Sequence, residues 1–382
     1  MSDYYVILTG SKNNAGDYLI KYRAKKLFEE LRPDRKVIDV NAWQKFDVPT
    51  LELVNGAKAL IMMGGPALQE RMYPRVYGLT DDFSNIRVPM TTMGIGWHSK
   101  QGRWRDTYNF PFSEGTQALL QKASDSGLPL SVRDFHTLSS LGFNKVKGAL
   151  MTGCPAYYDL DHVGKSVHSI PQVKKVAFSL GVSFLRSSLM GQSMRELILG
   201  LKQYFSDVEF DVVFHHSIDK KNLQKSYGKR GKQYQSQLEL DLWLKQNGIN
   251  TVDISGSAEK LVEYYSTVDF HVGYRVHAHI FMNSISRMSV LIAEDGRGVA
   301  TERVIGGNVI DGFWQVSDKP YPRILKTLRI APDAYKPNPY ILEDVIKRYE
   351  YEVHTDGQVL RGSRRQIDFN YSVMEGFLKK LP

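Results

Sequence analysis

Arg275, His277 and His279 lie within five residues of one another, just after a glycine that ends an apolar run. An arginine beside a histidine can hold a phosphate or a carboxylate and move a proton. The residues around them say what would position them. Asp269–Val272 is short and β-like, and Gly273 breaks it. Arg275–Ser286 then has helical spacing, with Val276, Ile280 and Ile285 apolar. Met288–Ala293 is a second apolar run, closed by Glu294, Asp295 and Gly296. That order predicts strand, tight turn, helix, strand. Arg275, His277 and His279 then sit at the turn and first helical turn, where free N–H groups and the helix dipole favour an anion. A competing reading has equal weight on spacing alone: a histidine packs under the sheet and Arg275 is a surface charge.

The rest of the chain repeats this α/β order. Tyr4–Leu8 reads as a buried strand, and Ser11–Asp17 as a loop. Asp17 is placed to cap a helix whose apolar positions are Ile20, Ala24, Leu27, Phe28 and Leu31. Short apolar runs follow at Val37–Val40, Ala59–Met63, Pro89–Ile95, Leu128–Val132 and Ala149–Met151. They do not alternate, which suits a parallel sheet covered on both faces. Ligands collect at the carboxyl ends of such strands. Asn14-Ala15-Gly16-Asp17 follows the first, with a backbone suited to an anion or a carboxylate suited to a sugar hydroxyl. Gly64-Gly65 follows another and allows close approach of backbone or ligand. Trp97-His98 follows the next and adds an aromatic face. Arg133 and Asp134 end the fifth run, as an ion pair or a helix start. Taken singly, each is ordinary turn chemistry, and none is a GxGxxG or P-loop element.

A second strand–helix series begins after the polar stretch Asp159–Gln172. Its strands are expected at Val176–Leu180, Phe210–Phe214 and Thr251–Ile254, and its helices at Gln192–Phe205, Gln235–Gln246 and Ala258–Tyr265. Arg186 follows the first of these strands, where an anion-binding residue would be well placed. His215 and His216 are adjacent on a strand and face opposite ways, so they do not suit one metal. Two doubly wound Rossmann-like domains facing a cleft are the expected α/β architecture, over residues 1–165 and 172–315. A helical extension, 316–382, includes Leu342–Tyr351 and Tyr371–Leu381.

The 382-residue chain carries a formal charge of +9. That points toward anionic partners. Much of the excess lies in two clusters, Lys220 to Lys232 and Arg361 to Arg365, read here as solvated loops. Neither has the aromatic interleaving of an RNA-binding sheet, so nucleic acid is not expected. Apolar runs are too short for a membrane span, and the N-terminus lacks a signal-peptide pattern, so a cytoplasmic protein is expected. Any membrane contact would be peripheral, through the basic clusters. Cys154 is the only cysteine, which excludes an intrachain disulfide; it reads as a buried thiol.

Taken in order, several short elements resemble the polysaccharide pyruvyl transferase family over roughly residues 5 to 310. They are Asn14-Ala15-Gly16-Asp17, Gly64-Gly65, Ser131-Val132-Arg133-Asp134, Thr152-Gly153-Cys154-Pro155-Ala156 and Arg275-Val276-His277. The chain departs from the pattern at Pro66, where members often have a third glycine, and after the last strand. The resemblance implies a fold like the glycosyltransferases of type B. It also implies transfer of pyruvate from phosphoenolpyruvate to two hydroxyls of a sugar. The product would be a cyclic ketal on a cell-surface polysaccharide or its lipid-linked precursor. It puts Arg275 and His277 in the donor site, to which Arg186 and His279 are added here. His277 is then expected to be the general acid or to stabilise the departing phosphate, and Asp17 to orient or deprotonate the acceptor. Asn14, Gly16, Gly64, Gly65, Trp97 and His98 are the acceptor-side or cleft candidates. No cofactor or metal is expected. Two alternatives are a type B glycosyltransferase gripping a nucleotide sugar at the same site, and a non-enzymatic polyanion- or polysaccharide-binding protein.

Overall fold

A computed structural model describes residues 3–11, 13–99, 101–167, 169–182, 188–227, 232–315 and 335–382. Six strands form the first sheet: β1 (Tyr4–Thr9), β2 (Lys36–Asn41), β3 (Leu60–Leu68), β4 (Met90–Trp97), β5 (Leu130–Val132) and β6 (Ala149–Met151). Their spatial order is β2-β1-β3-β4-β5-β6, and every pairing is parallel. Between them run α1 (Ala15–Leu31), α2 (Val48–Asn55), α3 (Glu114–Ser124) and α4 (Phe135–Phe143), with short turns at Met72–Arg75 and Arg105–Tyr108. The non-alternating runs are central strands covered on both faces; every residue of β4 is buried.

The second sheet is built from β7 (Lys175–Ser179), β8 (Glu209–Phe214), β9 (Asn250–Asp253), β10 (Phe270–Gly273), β11 (Met288–Ala293) and β12 (Asn308–Asp311). Its order is β12-β11-β10-β7-β8-β9, again all parallel. The helices are α5 (Ser188–Tyr204), α6 (Lys220–Tyr227), α7 (Lys232–Gln246), α8 (Ala258–Ser266), α9 (Val276–Ser284) and α10 (Gly296–Ile305). This is an α/β fold of two Rossmann-like domains. The strand order reverses between β1 and β3 in the first sheet and between β7 and β10 in the second. Crevices open at the carboxyl ends of strands at such switch points.

The antiparallel pair β13 (Phe313–Gln315) and β14 (Tyr335–Pro337) follows, then α11 (Ile341–His354) and α12 (Gln358–Lys379). The extension is therefore not helical throughout. One apolar core runs across both domains: Leu19, Ala24 and Phe28 of α1 pack with Ile280 and Phe281 of α9 and with Ile367, Met374 and Phe377 of α12. Two further cores lie within the individual domains.

Three local expectations are corrected. Asn14, not Asp17, caps α1: its side-chain oxygen accepts from the Gly16 N–H at 3.3 Å, leaving Asp17 in the first turn. Strand β3 does not stop at Met63 but runs through Gly64 and Gly65 to Leu68. Gly64 allows this because a Cβ there would collide with the carbonyl of Gly94 on β4. The Arg361–Arg365 cluster is not a solvated loop. Arg364 is fully buried, donating to the carbonyls of Ser284 at 2.8 Å and His162 at 2.9 Å.

Candidate active site

Arg275 reaches its place through β7 and β10. Gly273 at the end of β10 has φ of 145°, and its backbone lies against Ser179 of β7, leaving no room for a Cβ. The chain then turns: Tyr274 N–H donates to the Ser179 carbonyl at 2.9 Å and Arg275 N–H to the Ser179 hydroxyl at 3.0 Å. That hydroxyl also meets Nε2 of His271 at 2.8 Å. Arg275 is the N-cap of α9 and supplies no capping side-chain bond, so the positive end of the helix is left open.

His277 follows in the first turn of α9. It is partly buried, and Gly16 of α1 abuts its ring; a Cβ at residue 16 would collide with Nδ1. Nε2 is buried and finds no hydrogen-bond partner among the described residues. Burial, and then the charges of Arg133, Arg297 and Arg275, hold its pKa down to about 3. The imidazole is therefore neutral and surrounded by positive charge. Asp17 shares these neighbours. Burial raises its pKa, while a hydrogen bond from Asn14 and the charges of Arg297, Arg133 and Arg275 oppose the rise.

Arg133 comes from the carboxyl end of β5. Asp134 caps α4 by accepting from Thr137 N–H at 2.7 Å and from its hydroxyl at 2.8 Å, and takes the Arg133 Nε–H at 3.4 Å. Gly96 on β4 makes room, since a Cβ there would fall on the guanidinium. Arg297 comes from α10, held by Asp295 through contacts of 2.6 and 3.0 Å. Burial would raise the Asp295 pKa, but the Arg297 charge and the hydrogen bonds from Arg297 together outweigh it and the net shift is downward. Three arginines from three elements thus act on one aspartate and one histidine, at the facing carboxyl ends of both sheets. Backbone bonds close the cleft on either side: Ala15 N–H to His215 O at 3.2 Å, Gly256 N–H to Asn13 O at 2.9 Å, and Gly296 N–H to Ser99 O at 3.2 Å.

The sequence candidates separate accordingly. Asp17, Gly16, Arg275 and His277 are brought together, with Asn14 supporting Asp17. His279 is not in this group. Two residues along a helix is about 200° of rotation, and the side chain turns inward. There Nδ1 meets the Ser289 hydroxyl at 2.8 Å and burial alone lowers its pKa to about 3. Trp97 is also turned in, 2% exposed between Phe110 and His136. His98 is exposed and close enough to Asp295 to act on its carboxylate. Gly64 serves the β3–β4 contact and also lines a cleft beside Asp17. Gly65 has φ of 122° with open space around its Cα. Arg186 lies outside the described residues. The Cys154 thiol is buried and pushed up to about 11, as an inert structural thiol would be. Arg297 was missed, although Asp295-Gly296-Arg297 at a strand's carboxyl end is the same kind of signal that singled out Asp17.

Several solved structures resemble the chain at low identity. A UDP-GlcNAc 2-epimerase from Methanocaldococcus jannaschii aligns at 10% identity over 96% of this chain and 98% of its own, with a TM-score of 0.49. The UDP-GlcNAc 2-epimerase of Neisseria meningitidis aligns at 9% identity over 97% and 98%, with a TM-score of 0.48. TarM from S. aureus aligns at 14% identity over 84% of this chain and 54% of its own, with a TM-score of 0.42. No curated protein sequence matches the chain. The polysaccharide pyruvyl transferase model matches residues 14–281, which takes in Asp17, Arg133, Arg275 and His277. The chain belongs to the polysaccharide pyruvyl transferase family and is a transferase.

Proposed function

We propose that the protein transfers pyruvate from phosphoenolpyruvate to two hydroxyls of a sugar. The observation that carries this is the convergence of Arg133, Arg275 and Arg297 on His277 and Asp17. Phosphoenolpyruvate brings a carboxylate and a phosphate to one three-carbon unit, and several guanidiniums at an open helix N-terminus suit both. In the reaction one acceptor oxygen bonds to C2 of the enolpyruvyl group and a proton goes to the methylene carbon, making it methyl. The C2–O bond to phosphate breaks as the second acceptor oxygen bonds to C2. One hydroxyl proton ends on the methyl group and the other on phosphate.

His277 is neutral in the free protein because of burial and three positive charges. The donor's negative charge offsets those charges and raises the proton affinity of the imidazole, against the burial that is the larger cause of its low pKa. The protonated imidazole then serves as the acid at the departing phosphate. Asp17 faces the acceptor, and a carboxylate with a raised pKa is a stronger base than a solvated one. Arg186 remains a donor-side candidate on sequence grounds.

The test is a thermal-shift titration with phosphoenolpyruvate, and with UDP-, GDP- and CMP-sugars in parallel. A ligand that binds only the folded state raises the melting temperature as its concentration passes Kd. We expect a shift with phosphoenolpyruvate that Arg275→Ala removes. A shift only with a nucleotide sugar would turn the reading to glycosyl transfer. Calorimetry in buffers of different ionisation enthalpy should also register proton uptake on donor binding, reduced in His277→Gln.

A further inference from the structure

A cleft of about 310 Å³ opens beside Asp17 at the carboxyl ends of β1, β2 and β3, on the switch point of the first sheet. It is separate from the arginine cluster but shares Asp17 with it. Tyr18, Lys21, Asp39, Asn41 and Trp43 line the rest. Trp43 is 42% exposed and lines this cleft. Its position is set: the N–H of residue 43 donates to Asn41 Oδ1 at 3.0 Å, and Gly10 lies so close that a Cβ there would be 2.7 Å from the indole.

From these features we infer that this cleft seats the acceptor sugar ring, with the Trp43 indole as its platform and Asp17 at the reacting hydroxyls. The inference rests on the reading of Asp17 as the acceptor-side group. A pyranose has apolar C–H faces and a polar hydroxyl rim. The cleft offers a flat aromatic surface together with carboxylate, amide and ammonium groups. A nucleotide fits less well. Its phosphate would have to lie against the start of α1, where Gly16 already abuts His277 and Asp17 carries the carboxyl group. The cleft's Lys21 is itself paired with Asp39, and Lys25 approaches the same carboxylate at 3.5 Å. An uncharged sugar ring meets none of these conflicts. It also sets two hydroxyls between the acceptor cleft and the donor's arginines.

The experiment is saturation-transfer NMR on the full chain. The probes are methyl glycosides of galactose, mannose, glucose and N-acetylglucosamine, with UMP and AMP in parallel. We expect at least one glycoside to receive saturation, Trp43→Ala to weaken its binding by about tenfold or more, and Trp43→Phe to restore most of it. Gly10→Ala, which keeps the indole but displaces it, should weaken the same glycoside. The phosphoenolpyruvate-induced thermal shift should survive all three substitutions. Glycoside binding that ignores both Trp43→Ala and Gly10→Ala overturns the inference, as does no glycoside binding to the unsubstituted protein. Trp43-dependent binding of UMP or AMP alone overturns it too. Glycoside binding that depends on Trp43, with no phosphoenolpyruvate shift, leaves the sugar cleft standing and removes only the donor reading.

Discussion

A methyl group at residue 16 would meet the ring of His277, so Gly16→Ala is a probe of that ring's position. We expect a loss of about a hundredfold in kcat/KM, the scale of a displacement of roughly 1 Å in a reacting group. The melting temperature should fall modestly, since the packed ring must shift to admit the methyl while alanine is the better helix former. Near-normal turnover in this variant would remove His277 from the reaction. Asp17→Asn should act the other way on stability. The folded-state pKa of Asp17 is raised, so above the unfolded value of about 3.9 ionisation costs the folded state more than the unfolded one. Replacing the acid with an amide should therefore raise the melting temperature at neutral pH while abolishing most turnover. A lower melting temperature would show that the arginines need the charge more than burial opposes it. At this scale the sequence was readable where a residue type met a strand end, as with Asp17 and His277. His277 and His279 were indistinguishable by type, and only the rotation of the helix separates them. Trp43 gave no signal, because an exposed indole after a strand has meaning only once a cleft forms beside it.

Among the elements, α4 joins cap and function in one residue, as α10 does through Asp295. Asp134 bonds two groups of Thr137 and the Arg133 guanidinium, and it is 2% exposed. Asp134→Ala should cost about 4–6 kcal/mol in urea unfolding, the sum expected for a lost cap and a buried arginine stripped of its partner. Donor affinity should fall with it, because Arg133 loses its tether. A loss near 1 kcal/mol, with donor affinity intact, would mean that Asp134 is a cap alone. The elements themselves were largely visible in the apolar periodicity: Met288–Ala293 is the strand that the run predicts, and Val276–Ser284 lies within the expected helix. What periodicity misplaced were ends decided by contacts across the sheet. Gly64 reads as a stop, yet it continues β3 because Gly94 of β4 leaves space for nothing larger.

For the whole molecule, six histidines among the described residues share one property. His136, His215, His216, His271, His277 and His279 all have their pKa lowered, primarily by burial. Their folded pKa values lie below the unfolded value of about 6.5. Their contribution is complete above that pH and is lost as pH falls toward about 3, the value for His216, His277 and His279. Each such group contributes up to about 1.4 kcal/mol per pH unit in that window. The urea midpoint should fall steeply between pH 7 and pH 5, more steeply than for a variant with His279 replaced by Gln. A flat midpoint across that range would contradict the burial of these rings.

The last helix closes the first domain. Arg32, at the end of α1, donates to the carbonyls of Leu378, at 3.3 Å, and Leu381, and Tyr5 of β1 donates to Pro382 O at 2.7 Å. Arg32 and Leu378 are 346 residues apart. A ribosome adding roughly 5–20 residues per second needs on the order of tens of seconds to cover that distance. During this time the apolar face of α1 has been made but not the α12 residues that cover it. The nascent first domain thus waits, partly open, for α12 to be made and to cover the apolar face of α1.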